Sequence, residues 1–294
     1  MAETLRFPGV LVATTTPFTP DGQLHAGLFA EHCNWLIDEG VQGLVPNGSL
    51  GEYETLTDAE REQVVSTAVL AARGRAQVVP GVSGRSAVEA VRWAEQARAA
   101  GADAVMCLPP TSHSPTDDEV VAHFAAVAEV GMPIIAYNNP FSTRVDLTPP
   151  LLARLAEIEG VVAVKEFSQD VRRIPRIFEL APSLEVLVGC DDLLAEGVLL
   201  GATGWIAGFV NALPAASVRL FELSRAGRWD EALPLYRAML PALRWDADPG
   251  FVQAIKIAQD EVGRYAGPVR LPRLPLPAAD EAAVRKAVRE AMLG

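Results

Sequence analysis

Cysteine, histidine and lysine are all scarce in this 294-residue chain. Cys33, Cys107 and Cys190 are too few, too scattered and odd in number for a disulfide framework, which points to a reducing compartment and a cytoplasmic protein. The four histidines, at 25, 32, 113 and 123, are dispersed, and no Cys-x-x-Cys or His-x-x-x-His spacing occurs, so no metal is expected. A G-x-G-x-x-G or Walker pattern is also missing. No apolar run approaches the ~18 residues of a membrane span. The N-terminal Met-Ala-Glu-Thr-Leu-Arg lacks the charged-then-apolar order of a signal peptide. Basic charge is the minority, with 25 Lys and Arg against 37 Asp and Glu and a net charge of −12. Without a basic cluster, nucleic acid and anionic membrane are excluded as partners.

What the chain has is apolar character, at 50% of residues, which excludes disorder and suffices for a sizeable core. Short apolar runs recur at 9–13, 43–45, 77–79, 104–108, 133–137, 161–165, 184–188 and 204–207. Each is continuous rather than alternating and is bounded by Gly, Pro, Asn or Asp, as strands buried on both faces are. Helical spacing fills the gaps. Segment 28–39 sets Phe29, Cys33, Leu36 and Ile37 on one face before Gly40. Segment 57–73 opens with a Thr57–Glu60 capping box followed by Val64, Val65, Ala68 and Leu70. Further helices are expected at 86–100, 117–130, 148–157, 170–180 and 193–200.

Eight strands alternating with helices predict an α/β fold, a (β/α)8 TIM barrel over residues 1–225. An open doubly wound sheet competes, but its first turn would be Gly-rich, whereas here it reads Thr14-Thr15-Thr16-Pro17-Phe18. Residues 226–294 carry no strand pattern. They are expected to add C-terminal helices at 229–240, 251–262 and 278–292, with a proline-rich connector at 268–277, packed on the barrel or at a subunit contact.

Barrel chemistry sits where strands end. Lysine supplies only three of the 25 basic residues, and Lys165 alone ends an apolar strand; Lys256 and Lys286 fall in helical segments. Desolvation there lowers an ammonium pKa, as imine formation requires. Bringing a lysine from ~10.4 to neutrality takes about 4–5 kcal/mol of differential solvation. The alternative is a strand-end lysine paired with Glu166. Tyr137 closes the neighbouring strand, where its phenol is either a proton shuttle or a core ring with a wet hydroxyl. Ser49 lies in a Gly48-Ser49-Leu50-Gly51 turn whose amides can cradle an anion. Glu52 and Glu166 are expected to brace loops or pair with Arg, Asp191-Asp192 to cap a helix, and Trp205 to pack.

Taken together these segments resemble the dihydrodipicolinate synthase/N-acetylneuraminate lyase family of Schiff-base barrels over nearly the whole chain. Gly48-Ser49-Leu50-Gly51-Glu52 is similar to its G-[TS]-T-G-E loop and Tyr137-Asn138-Asn139-Pro140 to its Y-N-x-P. Val164-Lys165-Glu166 is similar to its Schiff-base strand, and 201–206 (GATGWI) to its G-x-x-G-x-I. The resemblance implies Lys165 as imine-forming residue, Tyr137 as proton-transfer residue and Ser49 as hydroxyl relay. It further implies that Gly48, Ser49 and Leu50 hold the substrate carboxylate and that the Ile206 backbone lines the pocket. No cofactor is implied, and the assembly implied is a homotetramer built from dimers.

The departures separate the branches. Where synthases place an interface tyrosine in the strand-four loop, this chain has Ser112, beside His113. Where they place an arginine after Y-N-x-P it has Ser142, with Arg144 two residues on, and the second loop threonine is Leu50. Ser112 and Ser142, at these positions, are expected to contact the substrate. These changes argue against a dicarboxylate-condensing synthase. Segments 137–149, 191–193, 204–211 and the 271–277 connector resemble 1-pyrroline-4-hydroxy-2-carboxylate deaminases. That likeness implies conversion of this cyclic imino acid to 2-oxoglutarate semialdehyde with release of ammonia. The alternatives are a 2-keto-3-deoxy sugar-acid aldolase or dehydratase, a dihydrodipicolinate synthase, and a barrel that binds a keto acid without turnover.

Overall fold

The structure, a computed structural model, describes residues 5–293. Its strands are β1 (Gly9–Ala13), β2 (Gly43–Val45), β3 (Gln77–Val78), β4 (Val105–Cys107), β5 (Ile134–Asn138), β6 (Val161–Glu166), β7 (Glu185–Val188) and β8 (Gly204–Ala207). They fall on the eight apolar runs, with ends shifted by no more than a residue. Every hydrogen-bonded pair is parallel, in the order β3-β2-β1-β8-β7-β6-β5-β4. The two ends of that order meet through a parallel bridge between Gly81 and Met106, where Met106 N donates to the Pro80 carbonyl at 2.9 Å. The sheet is therefore a barrel rather than an open doubly wound sheet. Gly81 makes the closure possible, because a Cβ there would stand 2.3 Å from the Asn47 carbonyl oxygen.

Continuous apolar strands follow from burial on both faces. Val10, Leu11 and Val12 of β1 are all fully buried. Side chains nevertheless alternate in direction. Ile135, Tyr137 and Ala163 belong to one hydrophobic cluster with Leu11, Met106 and Leu187. Ile134, Ala136 and Val164 belong to another, under the outer helices. The period of two thus sends Lys165, two residues after Ala163, into the interior at the end of β6, opposite Tyr137 in the register.

The surrounding helices are Ala26–Asp38, Asp58–Ala72, Ala87–Ala100, Asp117–Ala128, Pro149–Leu155, Arg173–Leu180, Leu194–Leu199 and Pro214–Arg225. Thr57 and Glu60 form the expected capping box, and Thr116 and Glu119 form a second one. Leu70 departs from expectation: it lies on the solvent face, 69% exposed, because the inward stripe continues through Ala71 and Ala72 instead. Sequence pattern also missed helix Pro214–Arg225, whose mixed small and polar composition hides its buried Leu220 and Phe221.

After Arg225 come helices Trp229–Leu243, Phe251–Glu261 and Ala278–Leu293. Their buried residues, including Tyr236, Met239, Val252, Ile255 and Val288, share one hydrophobic cluster with the barrel interior. The link from Trp229–Leu243 to Phe251–Glu261 is a 3-10 turn, Arg244–Ala247, followed by Asp248-Pro249-Gly250, and it crosses the mouth of the barrel. No helix among the described residues is long and apolar enough to cross a membrane.

Candidate active site

Loop 47–52 is set by two left-handed residues, Asn47 (φ 57°) and Glu52 (φ 54°). Asn47 Nδ2 donates to the Arg61 carbonyl at 3.0 Å, and Thr16 Oγ1 donates to the Gly51 carbonyl at 2.8 Å. Glu52 is buried and faces Lys256 at 2.7 Å while accepting from the Arg270 backbone N–H at 3.0 Å. The loop is braced as expected, with a lysine in place of the expected arginine. Its Gly48, Ser49 and Leu50 are held against a cavity of about 350 Å³ at the C-terminal end of the strands. That volume suits a small metabolite.

Tyr137, Ser142 and Lys165 line the same cavity. Lys165 is 5% exposed, and burial pulls its ammonium below the ordinary lysine range. It makes no ion pair among the described residues, and its Nζ stands 4.4 Å from the Tyr137 ring centroid. Glu166, the alternative partner, is turned the other way. Its carboxylate accepts from Asn138 Nδ2 at 3.0 Å and from the Ser168 backbone N–H at 2.6 Å. Burial holds the Tyr137 phenol above its usual pKa, so it stays protonated. Its oxygen accepts from Asn139 Nδ2 at 2.9 Å.

Other expected site residues are placed elsewhere. Ile206 is fully buried and does not line the cavity, whereas Ala13 and Gly208 do. Ser112 is exposed in the loop after β4, its hydroxyl 3.1 Å from His113 Nδ1, while His113 Nε2 approaches Glu119 at 3.7 Å. Neither lines the cavity, and neither does the exposed Arg144. Asp191 is no helix cap. It is fully buried and accepts from Trp205 Nε1 at 3.0 Å, Gly208 N at 3.1 Å and Phe209 N at 2.8 Å. It thereby fixes the end of β8, and Trp205 packs with its N–H satisfied.

Sequence inspection passed over Asn139, Phe141, Phe167, Gln169 and Asp246, all of which face the cavity. The Asp246-Ala247-Asp248-Pro249-Gly250 stretch is a visible polar break between helices, but only tertiary packing lays it over the barrel. Asp246 is buried, and its carboxyl is pushed up to about 7 by burial, against the opposing pull of Lys165. Among the described cavity residues Lys165 is the sole cation.

The chain is similar to proteins already known. Residues 6–291 match the dihydrodipicolinate synthetase family. The chain is 34% identical to a 4-hydroxy-tetrahydrodipicolinate synthase of Jannaschia sp. (strain CCS1), over 98% of this chain and 99% of that protein. It is 35% identical to one of Methanoculleus marisnigri, over 95% and 98% respectively. The crystal structure of dihydrodipicolinate synthase from Aquifex aeolicus superposes with a TM-score of 0.93 at 29% identity, covering 98% of this chain and 99% of that one. Sequence and backbone agree along almost the whole length, and the chain belongs to the dihydrodipicolinate synthetase family, as a class I lyase.

Proposed function

We propose that this lyase works through an imine on Lys165 and converts 1-pyrroline-4-hydroxy-2-carboxylate to 2-oxoglutarate semialdehyde and ammonia. The observation that carries this reading is the charge of the cavity. Lys165 is its sole cation among the described residues, and two acids, Asp246 and Asp248, face it. Such a site suits a substrate with one carboxylate, held by the Gly48-Ser49-Leu50 turn. A second carboxylate, which condensation to a dicarboxylate product involves, would meet no opposite charge. The relatives' names favour condensation, whereas Ser142 and Ser112 at the positions noted above weigh against it.

In this reading, uncharged Lys165 attacks the ring C=N carbon, and the ring nitrogen leaves as a chain amine. The lysine iminium then draws electrons from C3, so a C3 proton becomes acidic and the C4 hydroxyl can depart as water. Tautomerisation turns C5 into an imine, and two waters release ammonia and the semialdehyde. Tyr137 serves proton transfer at the imine carbon, with Ser49 as relay. The 226–294 segment belongs to the catalytic unit, because its Asp246 and Phe251 line the cavity. A homotetramer of dimers is proposed with it, and light scattering after gel filtration tests that assembly.

Three substrates decide the activity: the pyrroline, a 2-keto-3-deoxy sugar acid, and pyruvate with aspartate semialdehyde. Ammonia and semialdehyde formed from the first alone, and lost in Lys165→Ala, is the expected result. Turnover of either other substrate in place of the pyrroline overturns it.

A further inference from the structure

Tyr137 and Asp246 both line the cavity with the lysine and reach it from different elements. Tyr137 comes from β5, immediately before the lysine strand. Asp246 lies over the ends of the two strands that follow it. The Asp191 backbone, just beyond β7, lies close enough to the Asp246 carboxylate to favour its anion. The Oδ1 of Asp246 lies where a β-carbon on Gly208, just beyond β8, would be only 2.4 Å away. A side chain at Gly208 would therefore force the carboxylate to shift from this seat. The seat is a built feature of the cavity wall.

We infer that Asp246 is a further catalytic residue of this site, the group that moves protons along the chain bound to Lys165. Its carboxylate takes a proton from C3, adjacent to the imine carbon, and gives it to the hydroxyl leaving C4. The C3–H electron pair enters the C2–C3 bond and the iminium becomes an enamine. As the C4–O bond breaks, those electrons form C3=C4 and the iminium returns. Oxygen departs as water carrying the transferred proton, and Asp246 ends as the carboxylate it was at the start.

A single group serves both half-steps because its proton affinity sits near neutrality, where acid and base forms are both populated. Burial raises the Asp246 carboxyl to about 7 even though Lys165 opposes the shift. Tyr137 is unsuited to the base step, since burial holds its phenol protonated. The titratable groups facing Asp246 are Lys165 on β6, Tyr137 on β5, and Cys190, Asp191 and Asp192 after β7. Burial and the Asp246 charge raise the Asp191 carboxyl well above its ordinary range, against the pull of the N–H bonds it accepts from Phe209 and Gly208. Asp192 adds a smaller upward push on the Asp246 carboxyl.

The inference rests on the lysine-imine reading but not on the pyrroline as substrate. Its experiment therefore uses pyruvate in D2O, following methyl-proton exchange by NMR, alongside borohydride trapping of the Lys165 adduct by intact mass. In Asp246→Asn the adduct should form at least as readily, because the carboxylate that raised the lysine pKa is gone. Exchange should fall about 100-fold or more. Asp246→Glu should recover part of the exchange, and the limb of the exchange–pH profile near 7 should vanish in Asp246→Asn. Exchange within about threefold of the unsubstituted enzyme, or loss of adduct and exchange together in a folded Asp246→Asn protein, overturns the role. So does an unsubstituted enzyme that traps pyruvate without exchanging it. Intact exchange without ammonia release from the pyrroline retires the proposed substrate alone.

Discussion

Lys256 Nζ lies 2.7 Å from Glu52 Oε1, with the two side chains 4% and 0% exposed. The pair joins helix Phe251–Glu261 to the loop that presents Ser49, and Lys256 also donates to the Pro268 carbonyl at 2.9 Å. Burial lowers the pKa of both Lys256 and Lys165, so burial alone does not distinguish a structural lysine from a reactive one. Pairing does. Lys256 has a carboxylate in contact, whereas Lys165 has a phenol ring beneath it and open cavity before it.

Glu52→Gln removes one charge of that buried pair and leaves the other without compensation. We expect a loss of about 3–5 kcal/mol of folding stability, read as a lower urea midpoint. Glu52→Gln combined with Lys256→Met should recover much of the loss, a coupling that a double-mutant cycle measures.

Lys165→Met should behave in the opposite sense. The lysine is buried and makes no salt bridge among the described residues, and the more distant pull of Asp246 is the largest offset to its desolvation. Removing the lysine therefore abolishes borohydride-trappable adduct and turnover while leaving the melting temperature no lower than before. Its pH dependence has a definite sign. The folded-state pKa is depressed, so the unfolded chain binds more protons between that value and the ordinary lysine value of ~10.4. Native stability therefore rises with pH through that window. The advantage of Lys165→Met should shrink as pH climbs toward ~10.4, and parallel urea titrations at several pH values test this.

Much of this architecture was legible in the chain because barrel strands advertise themselves as unbroken apolar runs, and a lysine ending such a run conflicts with its surroundings. Lys165 stands out for that reason, whereas Tyr137 and Ser49 take on roles only through the family resemblance. Asp246 does not stand out, since an acidic loop residue looks solvated until the helices beside it dock on the barrel. Helix Pro214–Arg225 escaped because its small and polar residues mask the apolar stripe. Ser112 was placed by likeness to a motif, but its loop turns the hydroxyl toward His113 and away from the cavity.

Tyr137→Phe isolates the phenol from the ring. The ring packs among buried neighbours and lies against Lys165, and both features survive the change. What is lost is a hydroxyl that accepts from Asn139 at 2.9 Å. We expect turnover to fall by about 10²–10⁴ with stability changed by less than about 1 kcal/mol. Adduct formation should be slowed but not abolished, as stopped-flow mixing with borohydride quench would record. An unchanged rate of adduct formation would place the phenol outside the imine-forming steps.

Arg270 tests how far the site depends on the connector that follows helix Phe251–Glu261. Its guanidinium donates to Glu60 Oε2 at 2.9 Å, to the Thr55 carbonyl at 3.0 Å and to the Gly22 carbonyl at 2.9 Å, and it stacks over Phe18. Hydrogen bonding from Arg270 is the largest cause holding the Glu60 carboxyl down at about 2, with smaller help from Thr57. A depressed carboxyl stabilises the fold above its unfolded value, ~4.3, and that support disappears as pH falls toward 2. Arg270→Ala should cost about 1–2 kcal/mol at neutral pH, a figure discounted for partial exposure. It should also flatten the stability loss between pH ~5 and 2. The same arginine's backbone N–H holds Glu52, so a loosened connector relaxes the Ser49 loop as well. The kinetic consequence should appear as a raised KM with kcat nearly kept, because the loop binds the carboxylate while Lys165 and Tyr137 stand on separate strands.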